Sequence, residues 1–260
     1  MSVAPTNVRK AAAILLPKQH IFLLSHMRAY TSLFGHIMGS NPDICGYYEM
    51  HIGYHSWKSL IRQKLIYFKH EEPKPDFSFM FDKILHNDHN VALALLNSSR
   101  IKTIFCIRSP QDVIPSILKL YQGIDPSHEF NSESFATNYY IQRLATLERL
   151  ATSMNQPFYY LDAESIKYDS DKCLDSLSEW LHLDTRLSSR YEMQKNTSKE
   201  RFGDPSERIG TGRITSDLSQ YSYFDHNVEL INSATFMHNK VRKTLILKSA
   251  RNSVFEPATP

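Results

Sequence analysis

Residues 21–33 read IFLLSHMRAYTSL, and no other stretch indicates the architecture of this chain as strongly. An apolar run comes first, then a polar break that contains Arg28, and then Thr31 and Ser32 at the start of an amphipathic segment. A short continuous apolar run is typical of a strand buried on both faces of a parallel sheet. The first N–H groups of a helix are unpaired and lie at its positive end, so they can bind an anion. The stretch therefore predicts a strand, an anion-binding loop and a helix in succession.

Two further stretches have the same character. Arg108 ends the apolar run KTIFCI (Lys102–Ile107) and is followed eight residues later by Ser116. Residues 208–213, RIGTGR, form a basic loop that contains glycine. Arginine suits such sites because its planar guanidinium group matches a phosphate. Three anion-binding stretches on one chain predict a ligand with phosphates at both ends of a nucleoside.

The remaining pattern alternates between strands and helices. Strands are predicted at Ile21–Leu24, Lys102–Ile107 and Pro157–Leu161, and helices at Thr31–Met38, Ser56–Phe68, Ser132–Met154 and Lys172–Leu181. Such alternation predicts an α/β fold with a central, mostly parallel sheet flanked by helices. Ligands of these sheets bind at the carboxyl ends of the strands, where the breaks after Leu24 and Ile107 fall.

The length of 260 residues predicts a single domain. Within it we expect an N-terminal extension at residues 1–18, a long loop at 186–224 that closes the nucleotide site, and a loose tail at 251–260.

The composition argues against several classes of protein. Lys and Arg number 30 against 27 Asp and Glu, and no basic run occurs, so we expect no nucleic-acid partner. No apolar run is long enough to span a membrane. Three widely spaced cysteines argue against a disulfide framework and predict a reducing, cytoplasmic location.

The three anion-binding stretches together resemble the nucleotide-binding motifs of the sulfotransferases. Residues 27–33, MRAYTSL, are similar to the 5′-phosphosulfate loop P-[KR]-S-G-[ST]-[ST]-[LW] of that family. Arg108 with Ser116 is similar to the 3′-phosphate element, and Arg208–Arg213 to the later R-x-G loop. All three occur in the family's order. The resemblance implies the P-loop-like sulfotransferase fold, the donor 3′-phosphoadenosine 5′-phosphosulfate and no metal.

The resemblance also implies roles for individual residues. The 5′ end of the donor would be bound by Arg28, Ala29, Tyr30, Thr31 and Ser32, and Arg28 would also act in catalysis by stabilising the leaving group. The 3′-phosphate would be bound by Arg108, Ser116, Arg208, Ile209 and Gly210. Ala29-Tyr30 stands where the family has Ser-Gly. Because tyrosine is unfavourable at positive φ, we expect the loop to follow a different path there.

Two residues are candidates for the general base that takes the proton of the acceptor. Glu49 stands where the protein- and carbohydrate-modifying branches of the family have a catalytic glutamate, and His86 lies near where the small-molecule branch has lysine and histidine. Glu49 is the preferred candidate, and Lys83 could bind the sulfuryl group during transfer. The acceptor would be a small molecule, lipid or carbohydrate that offers a hydroxyl group or, as a second choice, an amine.

Twelve histidines require that a metal site be considered. His51 and His55 have helical i, i+4 spacing, but the flanking sequence is not that of a zinc helix, and His86 and His89 have no third ligand at a recognisable spacing. The sequence therefore predicts no metal site.

Two other functions stay open. One is a kinase-like phosphotransferase, against which the absence of G-x-x-x-x-G-K-[ST] counts. The other is a nucleotide-binding protein without catalytic activity. Each site residue also has an ordinary structural interpretation, such as an ion pair for Arg108 or a helix cap for Thr31 and Ser32.

Overall fold

A computed structural model describes residues 6–195, 209–214 and 227–256. Within these residues the chain forms a six-stranded sheet, with strand order β2-β3-β1-β4-β5-β6, in which all neighbours are parallel. The strands are β1 (Gln19–Leu24), β2 (Ile44–Cys45), β3 (Phe79–Ile84), β4 (Ile101–Ile107), β5 (Phe158–Asp162) and β6 (Arg251–Ser253). The prediction of an α/β fold with a parallel central sheet is confirmed.

Helices cover both faces of the sheet. They are α1 (Thr6–Leu15), α2 (Thr31–Ser40), α3 (Trp57–His70), α4 (Leu93–Leu96), α5 (Pro110–Ile124), α6 (Glu133–Ser153), α7 (Ala163–Tyr168), α8 (Ser170–Leu181) and α9 (Val228–Lys248). Core residues of α3, α5, α6 and α9 belong to one apolar cluster, and those of α2, α7 and α8 belong to another.

Strand β1 shows why its sequence is apolar throughout. Phe22 and Leu24 belong to the first cluster, whereas Ile21 and Leu23 belong to the second. Successive side chains of a strand point to opposite faces, so a strand covered on both faces needs apolar residues at consecutive positions. The continuous run that predicted this strand thus reflects its central place between β3 and β4.

The predicted elements were largely found. The three predicted strands correspond to β1, β4 and β5, and the four predicted helices correspond to α2, α3, α6 and α8. Residues 1–18 include helix α1, whose Ala13 is buried in the first apolar cluster. The prediction that residues 251–260 form a loose tail was wrong for Arg251–Ser253. These residues add the edge strand β6 to β5, while residues 257–260 lie outside the described part.

The long loop predicted at residues 186–224 is described only in part. Arg190 and Arg213 form an isolated antiparallel bridge, and Ile209–Thr211 form a short 3₁₀ turn. Tyr191 packs its ring against His36 of α2, with ring centroids 5.8 Å apart.

Among the described helices, none is long and apolar enough to cross a membrane.

A buried arginine on α6 joins the carboxyl ends of the two strands that lead into the site. The guanidinium group of Arg143 donates to the carbonyl of Ser25, just after β1, at 2.8 Å, and to that of Ile84, the last residue of β3, at 2.6 Å. It also donates to Asn87 Oδ1 at 2.9 Å. Burial lowers the pKa of Arg143 to about 10, so the group remains charged at neutral pH.

We expect Arg143→Met to lower the free energy of unfolding by about 2–5 kcal/mol, because the carbonyl of Ser25 then loses the donor that Arg143 provides and that of Ile84 loses one of two donors. The exposed Arg149 lies on the same helix, and Arg149→Met should change stability by at most about 0.5 kcal/mol. Urea unfolding of the three proteins measures the difference. Equal stability of the two variants would contradict this role for Arg143.

Candidate functional site

The candidate site lies at the carboxyl ends of β1 and β4. Strands β2 and β3 lie on one side of β1. Strands β4, β5 and β6 lie on its other side. The strand order therefore reverses at β1. In open α/β sheets, ligands bind outside the carboxyl ends of the strands at such a switch point. The loop after β1 contains Arg28, and Arg108 directly follows β4.

The loop between β1 and α2 contains two residues with left-handed backbone. Arg28 has φ 63° and Tyr30 has φ 54°. Tyr30 stands where the sulfotransferase motif has glycine, and the expectation that tyrosine would divert the loop from positive φ was wrong. The ring of Tyr30 lies against the guanidinium group of Arg108, whose Cζ is 4.0 Å from the ring centroid. This cation–π contact offsets part of the backbone strain.

Three residues predicted to bind the nucleotide lie in direct contact. Arg28 Nε donates to Ser116 Oγ at 2.8 Å, and Arg108 Nη1 donates to the carbonyl of Arg28 at 3.0 Å. Ser116 is buried in α5 and Arg108 is only 3% exposed. The resemblance assigned Arg28 to the 5′ end of the donor and the other two to its 3′ end. The structure thus joins the two sets directly.

The guanidinium group of Arg108 makes one ion pair and has a buried Nε–H group without a hydrogen-bond partner in the described part of the chain. Its Nη2 lies 3.3 Å from Asp112 Oδ2, in the first turn of α5. Its Nε is buried and has no hydrogen-bond partner among the residues that the structure describes. A buried N–H of a charged group that lacks a partner costs free energy. A ligand that accepts a hydrogen bond from it would therefore bind more tightly. Arg108 is therefore both an ion-pair partner and a candidate anion ligand.

A second cationic group reaches the start of α2 from β3. Lys83 is buried, and its Nζ lies 3.5 Å from Ser32 Oγ. Thr31 and Ser32 form the first turn of α2, where N–H groups point out of the helix. Ala29 is buried within the second apolar cluster and contributes only its backbone. The residues predicted to bind the 5′ end thus surround one helix N-terminus.

The other predicted nucleotide ligands are Arg208, Ile209 and Gly210. Arg208 lies outside the described residues. Ile209 and Gly210 begin the short 3₁₀ turn, and Gly210 is exposed. Their assignment to the 3′-phosphate stays a prediction.

Sequence reasoning missed two buried side chains that hold Arg108 in place. His26 Nε2 accepts from the N–H of Arg108 at 3.1 Å, and its Nδ1–H donates to the carbonyl of Met27 at 2.8 Å. The hydroxyl of Tyr140, from α6, donates to the carbonyl of Arg108 at 2.7 Å. Both polar groups of the Arg108 backbone are thus satisfied by distant residues. Nothing local in the sequence signals these contacts.

Met27 adds a further link that the sulfotransferase motif's usual proline could not make. Its backbone N–H donates to the hydroxyl of Tyr139 at 2.9 Å, and Tyr139 in turn donates to the carbonyl of Leu85 at 3.0 Å. Proline has no N–H group. The departure at Met27 therefore ties the loop after β1 to the segment after β3 through one tyrosine.

Glu49 and His86, the candidate bases, face the same region. Glu49 is 11% exposed, and its buried Oε1 has no hydrogen-bond partner within the described part of the chain. Burial lowers the pKa of His86, while the nearby charge of Glu49 acts in the opposite direction. The ring of His86 lies 5.6 Å from that of Tyr139. The structure thus brings both candidates together, although they come from different strand ends.

Asp82 fixes the segment that carries Glu49. This buried residue of β3 accepts from the N–H of Met50 at 3.1 Å and from the hydroxyl of Tyr54 at 2.5 Å. Burial raises the pKa of Asp82 to about 8, and the charge of Glu49 adds to the shift. Asp82 and Lys83 are consecutive on β3, so their side chains point to opposite faces of the sheet.

Two solved structures with the same fold are sulfotransferase domains. One is the sulfotransferase domain from the curacin biosynthetic pathway, with a TM-score of 0.58 and 12% identity, covering 86% of this chain and 98% of that domain. Another is the sulfotransferase domain from the Synechococcus PCC 7002 olefin synthase, with a TM-score of 0.59 and 15% identity, covering 86% and 95%. No protein-family model matches the sequence, and no curated protein matches it significantly.

This chain has the sulfotransferase fold, as the resemblance of its motifs implied. At 12–15% identity the likeness extends to the fold and does not by itself assign a donor or an acceptor.

The buried His26 makes stability depend on pH in a defined direction. Burial lowers its pKa from 6.5 to about 3. Between those values the unfolded chain binds a proton that the folded chain does not, so His26 reduces stability as pH falls below 6.5. We expect the stability advantage of the wild type over His26→Asn to shrink by about 2–3 kcal/mol between pH 7.5 and 4.5. Urea unfolding at both pH values measures it, and a constant difference would contradict the neutral, buried state.

Proposed function

We propose that this chain is a sulfotransferase that uses 3′-phosphoadenosine 5′-phosphosulfate as its donor and sulfates a hydroxyl group of a small acceptor. The fold supports the reaction class. The observation that carries the proposal is the contact among Arg28, Arg108 and Ser116 at the switch point of the sheet. Residues from two sequence motifs, 80 or more positions apart, meet there with two arginines and one N–H donor that has no partner within the described residues.

The charges suit a donor with anionic groups at both ends. Arg108 would bind the 3′-phosphate through its Nε–H, which has no partner among the residues that the structure describes, and Ser116 would add its hydroxyl once Arg28 turns toward the 5′ end. The first turn of α2, with Thr31 and Ser32, would bind the 5′-phosphate through backbone N–H groups. These contacts neutralise the phosphates with protein groups alone.

Sulfuryl transfer needs in-line placement and charge neutralisation. The acceptor oxygen forms a bond to sulfur while the bond between sulfur and the bridging oxygen of the 5′-phosphate breaks. The acceptor's proton passes to the base, and adenosine 3′,5′-bisphosphate leaves with the negative charge. Lys83, 3.5 Å from Ser32 Oγ, is suited to stabilise that charge on the bridging oxygen and on the sulfuryl group.

Glu49 is the preferred base because its carboxylate oxygen is buried and lacks a hydrogen-bond partner in the described part of the chain. A hydroxyl group placed there would satisfy it and surrender its proton. His86 is the alternative, since its lowered pKa favours the neutral imidazole that can accept a proton.

A row of aromatic rings next to His86 supports an acceptor with an apolar or flat face. Tyr139 is 5.3 Å from Phe130, and Phe130 is 4.8 Å from Tyr121, measured between ring centroids. Burial raises the pKa of Tyr121, and the charge of Glu49 adds to that shift, which indicates that the row lies near the proposed base. Aromatic walls of this kind recur in small-molecule sites.

Calorimetry should show that adenosine 3′,5′-bisphosphate binds the wild type, and Arg108→Ala should weaken binding by about 1–3 kcal/mol through loss of a charged contact. Because Arg108 also holds the loop after β1, Arg28→Ala provides a second variant with a half-buried side chain. The exposed Arg149→Ala is the control and should bind as the wild type does. Unchanged affinity in both site variants would remove these arginines from the site.

Turnover can be measured with labelled donor and a pool of hydroxyl compounds. Glu49→Gln should lower transfer by roughly a hundredfold or more while bisphosphate binding is retained, because only the proton acceptor is lost. His86→Asn is the matched variant and should keep most of the activity. The reverse result would assign the base to His86. Tight binding with no transfer by the wild type would instead support a non-catalytic protein, and dependence on ATP and magnesium would support a phosphotransferase.

A further inference from the structure

A group of metal-ligating side chains lies beside the proposed base. Glu49, His51 and His89 each offer one ligand atom, and these three atoms lie within 4.8 Å of one another. The sequence pairs His51 with His55 and His86 with His89 by spacing. The fold instead brings His51 against His89, with ring centroids 5.7 Å apart and an edge-to-face arrangement.

Glu49 and His51 lie at a spacing that suits a shared ion. His51 has φ 51°, a left-handed conformation that costs free energy for a residue other than glycine. In this conformation its Nδ1 lies 3.7 Å from Glu49 Oε1. That distance is too long for a hydrogen bond, but it is close to the spacing of about 3.4 Å expected between two ligands at about 2.1 Å from a tetrahedral ion.

Glu49 supplies the second observation. Its Oε1 is shielded from solvent and has no hydrogen-bond partner among the described residues, although it lies 3.7 Å from His51 Nδ1 and the carboxylate lies close to a ligand atom of His89. A buried carboxylate oxygen of this kind requires compensation from a positive charge. A divalent cation shared with His51 and His89 would provide it.

We propose that Glu49, His51 and His89 form a binding site for a divalent transition-metal ion, with Zn²⁺ as its best-matched occupant. Two imidazoles and one carboxylate are a known zinc ligand set with tetrahedral geometry, and they leave one position open for water or another ligand. His51 is exposed and His89 is half-buried, so an ion can reach the site from solvent.

Zinc in this site would occupy the carboxylate that the proposed function assigns to proton transfer. This consequence rests on the proposed function, whereas binding of the ion does not. Bound zinc should therefore inhibit sulfuryl transfer by removing the free base.

The test titrates zinc chloride into chelator-treated, untagged protein without nucleotide and follows binding by calorimetry. We expect one zinc per chain with a dissociation constant in the micromolar range or below. His51→Asn and His89→Asn should each weaken binding by roughly tenfold or more. Asparagine is chosen because it tolerates the left-handed backbone at position 51. His55→Asn, which removes an exposed histidine nearby, is the matched control and should bind as the wild type does.

Two results would overturn the site: no saturable binding by the wild type, or binding that both histidine variants retain in full. Circular dichroism of each variant confirms that a loss of binding is not a loss of fold. The activity measurement separates the two proposals. If zinc binds as expected but transfer continues at saturating zinc, the metal site stands and Glu49 is not the base.

Discussion

The geometry of this site depends on a charged guanidinium group buried beneath it. Arg143 donates to the carbonyl of Ser25, just after β1, and to that of Ile84 at the end of β3, which also accepts from the N–H of Ser25. Backbone carbonyls buried without donors are strongly disfavoured, so this contact fixes where both loops leave the sheet. One of those loops carries Arg28 and the other follows Lys83 and leads to His86. Arg143 thus positions groups that are proposed to bind the sulfuryl donor and its acceptor.

A second buried contact does the same across β1 and β4. His26 accepts from the backbone of Arg108, and Tyr140 on α6 donates to it. Arg108 in turn donates to the carbonyl of Arg28. The loops after β1 and β4 are therefore held by residues of α6 and by contacts with each other. Such support keeps the backbone of both loops in place, while the Arg28 side chain turns toward the 5′ end of the proposed donor.

The sequence predicted the parts of the fold in which local pattern and tertiary role agree. The apolar runs of β1, β4 and β5 are continuous because these strands are covered on both faces. Strand β3 was not predicted, because Asp82 and Lys83 interrupt its apolar run. Both residues are buried, and both belong to the candidate site. The edge strand β6 escaped because its residues Arg251–Ser253 are polar and only three in number. Local rules fail where residues serve a site or a sheet edge.

The candidate site was predictable to a similar degree. The order of the sequence motifs predicted Arg28, Arg108 and Ser116 as nucleotide ligands, and the fold places the three residues in contact. It could not reveal Arg143, His26 or Tyr140, because their partners lie far away in the chain and no local pattern records them. Nor could it pair His51 with His89, since spacing along the sequence says nothing about which loops meet in space.

The proposed function requires that Arg28 and Arg108, which follow β1 and β4, bind an adenosine bisphosphate. A crystal structure of the chain with adenosine 3′,5′-bisphosphate would show whether they do. We expect 3′-phosphate oxygens within hydrogen-bond distance of Arg108 Nε and Ser116 Oγ, and the 5′-phosphate at the first turn of α2. A nucleotide bound elsewhere, with Arg28 still donating to Ser116 and no phosphate near Arg108, would contradict the proposed function.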